Sequence, residues 1–199
     1  AAATPTPVMV DLVTAGVSSD SFFSYLKDAV GSLSESLSTL IYFPLTIPVA
    51  EGLSISIDVN LLNYTLGAAS PTLDSLVAGM AVNIRTALAA KGLPEAQLDP
   101  TVQAITQGLK ANAAVQTQLL PLAQQLANLN SNPWLKHVNT DAQGYSRVTV
   151  TAAGINAEFR QVNKLVGNNA PSSVIASRTA VRITSNSTTL AVTPVVVGA

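Results

Sequence analysis

Residues 132–160, NPWLKHVNTDAQGYSRVTVTAAGINAEFR, decide how this chain is read. The Asn132-Pro133 pair halts what precedes it, because a residue before proline is pushed out of the helical region. Beyond Gly144-Tyr145, residues 147–151 and 155–162 alternate with period two around Ala152-Ala153-Gly154, the pattern of a β-hairpin. Here a helical region hands the chain back to a sheet.

Upstream, Leu73, Leu76, Val77, Met80, Ile84 and Leu88 recur at three- and four-residue spacing. They predict a helix that Ser70-Pro71 opens, with proline at its first position, and Gly92 closes. A second helix is expected from Asp99-Pro100, carrying Val102, Ile105, Leu109 and Ala113; Pro121 kinks or splits it, and the pattern continues to Leu129. Two such helices on a short connection pack antiparallel. Residues 53–61 alternate Leu, Ile, Ile and Val with Ser, Ser, Asp and Asn, a strand wet on one side. Pro44 and Pro48 force extended chain just before it. Ser18, Ser19 and Asp20 offer cap chemistry for a helix through Phe22, Phe23, Leu26 and Val30, broken at Gly31. Residues 8–13, VMVDLV, read as a short buried strand, and residues 173–197 as two further strand-like runs around Ser185-Asn186. The class is α+β. Residues 1–15 form a lead and core strand, 16–132 a mainly helical insertion (a cap or lid) with a strand near 53–61, and 133–199 a β-rich return to the core sheet.

The 199 residues suffice for one domain with a sizeable core, or for a substantial piece of a larger one. Charged residues make up 11%, against roughly 25% in typical soluble domains. The net charge of −1, without a basic block, speaks against a nucleic-acid scaffold as partner. The absence of cysteine excludes disulfides, zinc–cysteine sites and thiol catalysis. The apolar run 37–50 contains two prolines and falls short of the ~20 residues of a membrane span, so it reads as a core edge or contact surface. A low-charge surface rich in Ser, Thr and Asn, with a start AAATPTP of the kind a signal peptidase leaves, predicts a secreted, periplasmic or cell-surface protein.

Chemistry is sparse along the chain. The single histidine, His137, reads as structural, and no second histidine or H-E-x-x-H exists for zinc. The eleven acidic residues are scattered, with no D-x-D or D-x-H to seed a binuclear site. No G-x-S-x-G elbow appears, and Gly16-Val17-Ser18-Ser19-Asp20 is more simply a capped turn than an anion loop. Trp134 is a core plug or a pocket wall. Asn63-Tyr64-Thr65 and Asn186-Ser187-Thr188 fit the glycosylation pattern. The expectation is no self-sufficient active site: the catalytic and metal-ligand sets on this chain are both empty.

Two segments carry a resemblance. Residues 8–19, VMVDLVTAGVSS, are similar to V-E-F-V-T-x-S-V-T-S, and Asn132-Pro133-Trp134 through Gly144-Tyr145 to Ala157-Glu158-Phe159-Arg160 are similar to an N-P-H-I-K … G-Y … A-D-F-R pattern. Both resemble the C-terminal portion of PhoD-type alkaline phosphatases, over about 50 of the 199 residues. Asp11 stands where that family commonly has Glu, and Trp134 where it has His. The resemblance implies a metallophosphoesterase-like α/β sandwich whose strands flank the helical insertion. It also implies an extracytoplasmic hydrolase of phosphate mono- and diesters that uses calcium and iron. The family's metal ligands lie upstream of the position of Ala1, so the expected partner is an N-terminal part of the same enzyme. The chain alone is expected to be inactive, and Ser18, Ser19, Asn132 and Trp134 are the cleft candidates. Two rival readings remain: a non-catalytic subunit of a surface layer or filament, which could be a homo-oligomer, and a carrier of apolar ligands between the two long helices.

Overall fold

The computed structural model describes residues 8–17, 20–34, 38, 41–66, 70–129, 132, 134–163, 174–193 and 196–197. Among the described residues the architecture is mixed α+β, with two antiparallel sheets and five α-helices of four or more residues.

The first sheet is the hairpin β1 (Tyr42–Ala50) and β2 (Leu53–Asn60), in a register running from Tyr42↔Asn60 to Ala50↔Leu53. Ile55, Ile57 and Val59 of β2 are buried, as the alternation predicts. Pro44 and Pro48 sit in a strand paired on one side only. Four residues apart, both turn the side that lacks N–H the same way, so the open edge absorbs the loss.

Helix α1 (Phe22–Gly31) is capped by Ser21, one residue beyond the expected cap run; its hydroxyl accepts from Ser24 N–H at 3.1 Å. Lys27 on α1 pairs with Asp58 of β2 and lies 5.1 Å from the Tyr42 ring centroid. The one-turn helix α2 (Leu62–Thr65) leads on to α3 (Leu73–Ala90). α3 begins after Thr72, which forms a reciprocal capping box with Ser75, so Pro71 precedes the helix instead of opening it. At the other end, Gly92 adopts φ +83° and Leu93 N–H reaches back to Leu88 O, a left-handed cap as expected.

Helix α4 (Glu95–Ala111) starts before the expected Asp99-Pro100 and carries Pro100 inside it. It runs antiparallel to α3: Arg85 pairs with Glu95 and Asp99 near one end, and Asp74 with Lys110 near the other. The following break falls at Asn112 and not at Pro121. Asn112 turns extended (ψ 122°), and its Oδ1 accepts from Val115 N–H at 3.1 Å, as a side-chain cap for the next helix. A π-helical turn, Val115–Leu119, then lets α5 (Leu120–Asn128) accommodate Pro121.

The hydrophobic core joins the β1–β2 hairpin to these helices, through Ile47, Ile55, Ile57 and Leu61 against Leu76, Met80, Ile84, Leu88, Leu98, Leu119 and Leu126. α3, at 18 residues and mean hydropathy 1.2, is long and apolar enough by composition to cross a membrane, yet here it is the central core helix, with Arg85 among its buried residues.

The second sheet has the order β3-β4-β5-β6, with β7 also pairing β5: β3 (Gly144–Thr151), β4 (Gly154–Val162), β5 (Ile175–Thr184), β6 (Leu190–Val192) and β7 (Val196–Val197). The expected hairpin is present, closing at Thr151↔Gly154. The expected strand at residues 8–13 is not: these residues are irregular, with Val8, Met9 and Val13 92%, 76% and 79% exposed. The alternation survives, since Val10 and Leu12 are half-buried while Met9, Asp11 and Val13 face out. Among the described residues no strand pairs with this segment, and an isolated strand has no ladder to hold it.

Candidate functional site

A cleft of about 840 Å³ opens over one face of the second sheet. Directly paired residues share a face, so the register puts Phe159 beside Thr179 and Gln161 beside Ser177 on the floor, with Val181 opposite Val192 behind them. Residues 9–15 form one wall and the loop around Trp134, Leu135, Lys136 and His137 the other; Thr188 and Thr189 close the end.

The floor is polar but satisfied, since Ser177 Oγ donates to Gln161 Oε1 at 3.0 Å in a fully buried bond. His137 sits against Phe159, with ring centroids 5.6 Å apart at 33°, and burial holds its pKa below the usual histidine value. The ring is therefore held towards its neutral form, packed and not exposed as a general base. This agrees with a structural role.

The wall is pinned by a compact set of hydrogen bonds at Thr140. Its N–H and Oγ1 both donate to Asn63 Oδ1, at 2.9 and 3.0 Å, while Asn60 Nδ2 donates to Thr140 Oγ1 at 2.9 Å and Phe23 N–H to Thr140 O at 3.0 Å. Elements β2, α1 and α2 thus meet the cleft loop at one residue. On the other wall, Gly144 N–H donates to Gly16 O at 3.2 Å. The same network occupies Asn63, so the first glycosylation-pattern asparagine has its side chain engaged, whereas Asn186 lies exposed in the β5–β6 turn.

Of the four cleft candidates, Trp134 lines the cleft, 48% exposed. Asn132 shapes the approach to it: its Oδ1 accepts from Trp134 N–H at 3.0 Å and its O from Leu135 N–H at 3.2 Å. Ser18 and Ser19 lie outside the described residues. Sequence reasoning passed over Phe159, Gln161, Ser177 and Thr179. Their signal was the period-two position on β4 and β5, which shows a shared face only once the register is known.

Among the described residues, no group of three or more Asp, Glu or His could hold a metal ion. In the cleft, Asp11 and His137 stand among hydroxyls and amides, a donor set that does not fit a calcium or iron centre. The arrangement can hold a ligand through amide, hydroxyl and aromatic contacts; among the described residues it presents no nucleophile–base pair. No family model matches the chain, and no curated protein or solved structure matches it.

Proposed function

We propose that this chain is the C-terminal portion of a secreted or cell-surface phosphoesterase of the PhoD type. In this reading it supplies sheet scaffold and one side of a cleft, while calcium and iron are bound by ligands on an N-terminal part. The metallophosphoesterase-like sandwich belongs to the same proposal, with the helical block, expected from sequence as a cap or lid, instead bracing the cleft loop through Thr140, its described residues lining no part of the cleft. The observation that carries it is the state of residues 8–17. Residues 9–13 keep a strand's alternation, residues 9–15 run along the cleft wall, and Val8, Met9, Val13 and Val17 are exposed, as in a strand awaiting its neighbours. The segment is also one of the two that bear the family resemblance.

Intact mass and upstream sequencing of native material test this. The expected result is a metal-binding part, rich in Asp and His, continuous or co-purifying with this chain, and calcium- and iron-dependent hydrolysis of p-nitrophenyl phosphate only when both parts are present. Hydrolysis by the chain alone, or a native species without such a part, overturns the proposal.

A second reading, a non-catalytic assembly subunit, draws on one observation. Strand β3 is an outer strand of its sheet with Val148 and Val150 exposed, an edge on which a further strand could pair. It predicts salt-resistant self-association of the isolated chain.

A further inference from the structure

Four of the chain's five arginines converge on the side of the second sheet opposite the cleft floor, with Arg160 and Tyr145 also reaching the cleft's edge. The pairs Tyr145↔Arg160, Arg147↔Glu158, Arg160↔Arg178 and Asn156↔Arg182 set Arg147, Arg160, Arg178 and Arg182 on one side of β3, β4 and β5. With Glu158 as the acid among them, the face carries +3 and leaves −4 for the rest of a chain whose net charge is −1. Glu158 accepts from Arg160 Nε at 2.7 Å and lies 3.9 Å from Arg178 Nη1. Arg147 and Arg182 are exposed and make no ion pair among the described residues. Arg160 and Arg178 are directly opposed like charges, and Glu158 sets one negative charge against the two.

Strand spacing gives the array its shape. Strands lie about 4.8 Å apart and alternate residues about 6.8 Å apart, so the four guanidinium stems spread over an area of about 10 by 14 Å. A single thread of polyanion meets two of them at a time; a plane of anionic groups meets all four. Along β3 and β4 the same side carries Tyr145, Thr149, Thr151, Asn156 and, half-buried, Val162, so the centre of the array is polar. We infer that this arginine face docks the protein peripherally on an anionic lipid bilayer, through headgroup phosphates held by guanidinium groups. The inference is independent of the phosphoesterase reading, because Arg147 and Arg182, on which its test rests, line no part of the cleft.

Each surface arginine contributes roughly fivefold in partitioning onto anionic bilayers, so three net charges give on the order of 150-fold over neutral lipid. The test is sedimentation of the full chain with phosphatidylcholine vesicles containing 30 mol % phosphatidylglycerol, against phosphatidylcholine alone. Binding is expected to anionic vesicles only, to fall steeply between roughly 0.05 and 0.5 M NaCl, and to weaken about thirtyfold in R147Q/R182Q. Those two side chains leave the Glu158 ion pairs intact, and an unchanged circular dichroism melt confirms that the variant is folded. Equal binding to both vesicle types, undiminished binding by the variant, or tighter binding to heparin or an oligonucleotide than to the vesicles overturns the bilayer as occupant.

Discussion

Asn63→Ala is the most informative single perturbation, because it cuts the weld between the helical block and the cleft loop without touching either core. Asn63 Oδ1 accepts two bonds, from Thr140 N–H at 2.9 Å and Thr140 Oγ1 at 3.0 Å. Each net hydrogen bond contributes about 1 kcal/mol, and Thr140 is only partly buried, so water relieves part of the loss. The expected destabilisation is about 2 kcal/mol. For a chain of 199 residues this lowers Tm by about 4–8 °C. Asn63→Asp is the control, since a carboxylate oxygen still accepts both bonds; it should melt within about 2 °C of the parent at pH 7. Calorimetry gives the melts, and hydrogen exchange locates the effect: the Thr140 amide and its neighbours in the cleft loop should exchange faster in Asn63→Ala alone. An alanine variant that melts within about 1 °C of the parent, with Thr140 exchange unchanged, would refute the claim that this bond set fixes the wall.

Three further outcomes are expected. Ile84→Ala removes a side chain that is 0% exposed at the centre of the helical core, and urea titration should show a loss of about 3–4 kcal/mol. Gly154→Ala forces a Cβ against the Ile183 carbonyl at a backbone φ of +139°, so it should cost about 2–4 kcal/mol and loosen β4 from β5 in amide exchange. Burial lowers the pKa of His137, so the folded state binds its proton less readily than the unfolded chain. Its contribution is fully present above the unfolded value near 6.5 and is lost as pH falls from there towards the folded pKa. His137→Leu should flatten that part of the stability profile, and a variant whose profile between about pH 7 and 5 parallels the parent's counts against the burial argument.

How much of this was legible depends on whether a signal is local. The β2 alternation, the β3–β4 hairpin and the Gly92 helix stop are each decided within a few residues, and each appears as expected. The helix break was misplaced for a local reason too: Pro121 is the louder breaker, but Asn112 supplies a cap and the π-helical turn absorbs the proline. Residues 8–13 misled because alternation reports which side is apolar and says nothing about whether a neighbour exists. The cleft floor and the arginine face were both invisible along the chain. Residues 147, 160, 178 and 182 form no run, and only the register of three strands brings them onto one side.

That contrast also bears on where a partner could act. The helical block closes on itself: its core runs from Ile47 to Leu126 and takes the apolar faces of β2, α3 and α4. The second sheet has only partial cover among the described residues, with the cleft face walled by residues 9–15 and the loop around Trp134, and Arg147 and Arg182 exposed on the other side. Added contacts on the helical block gain little apolar burial. Along residues 8–17 they gain the exposed Val8, Met9, Val13 and Val17 together with the backbone pairing that the alternation already suits. A binding partner that leaves the exchange of residues 8–17 unchanged while protecting α3 and α4 would argue against this ordering of the two surfaces. Protection that begins at 8–17 and spreads to β3 through the Gly16–Gly144 bond is the expected outcome.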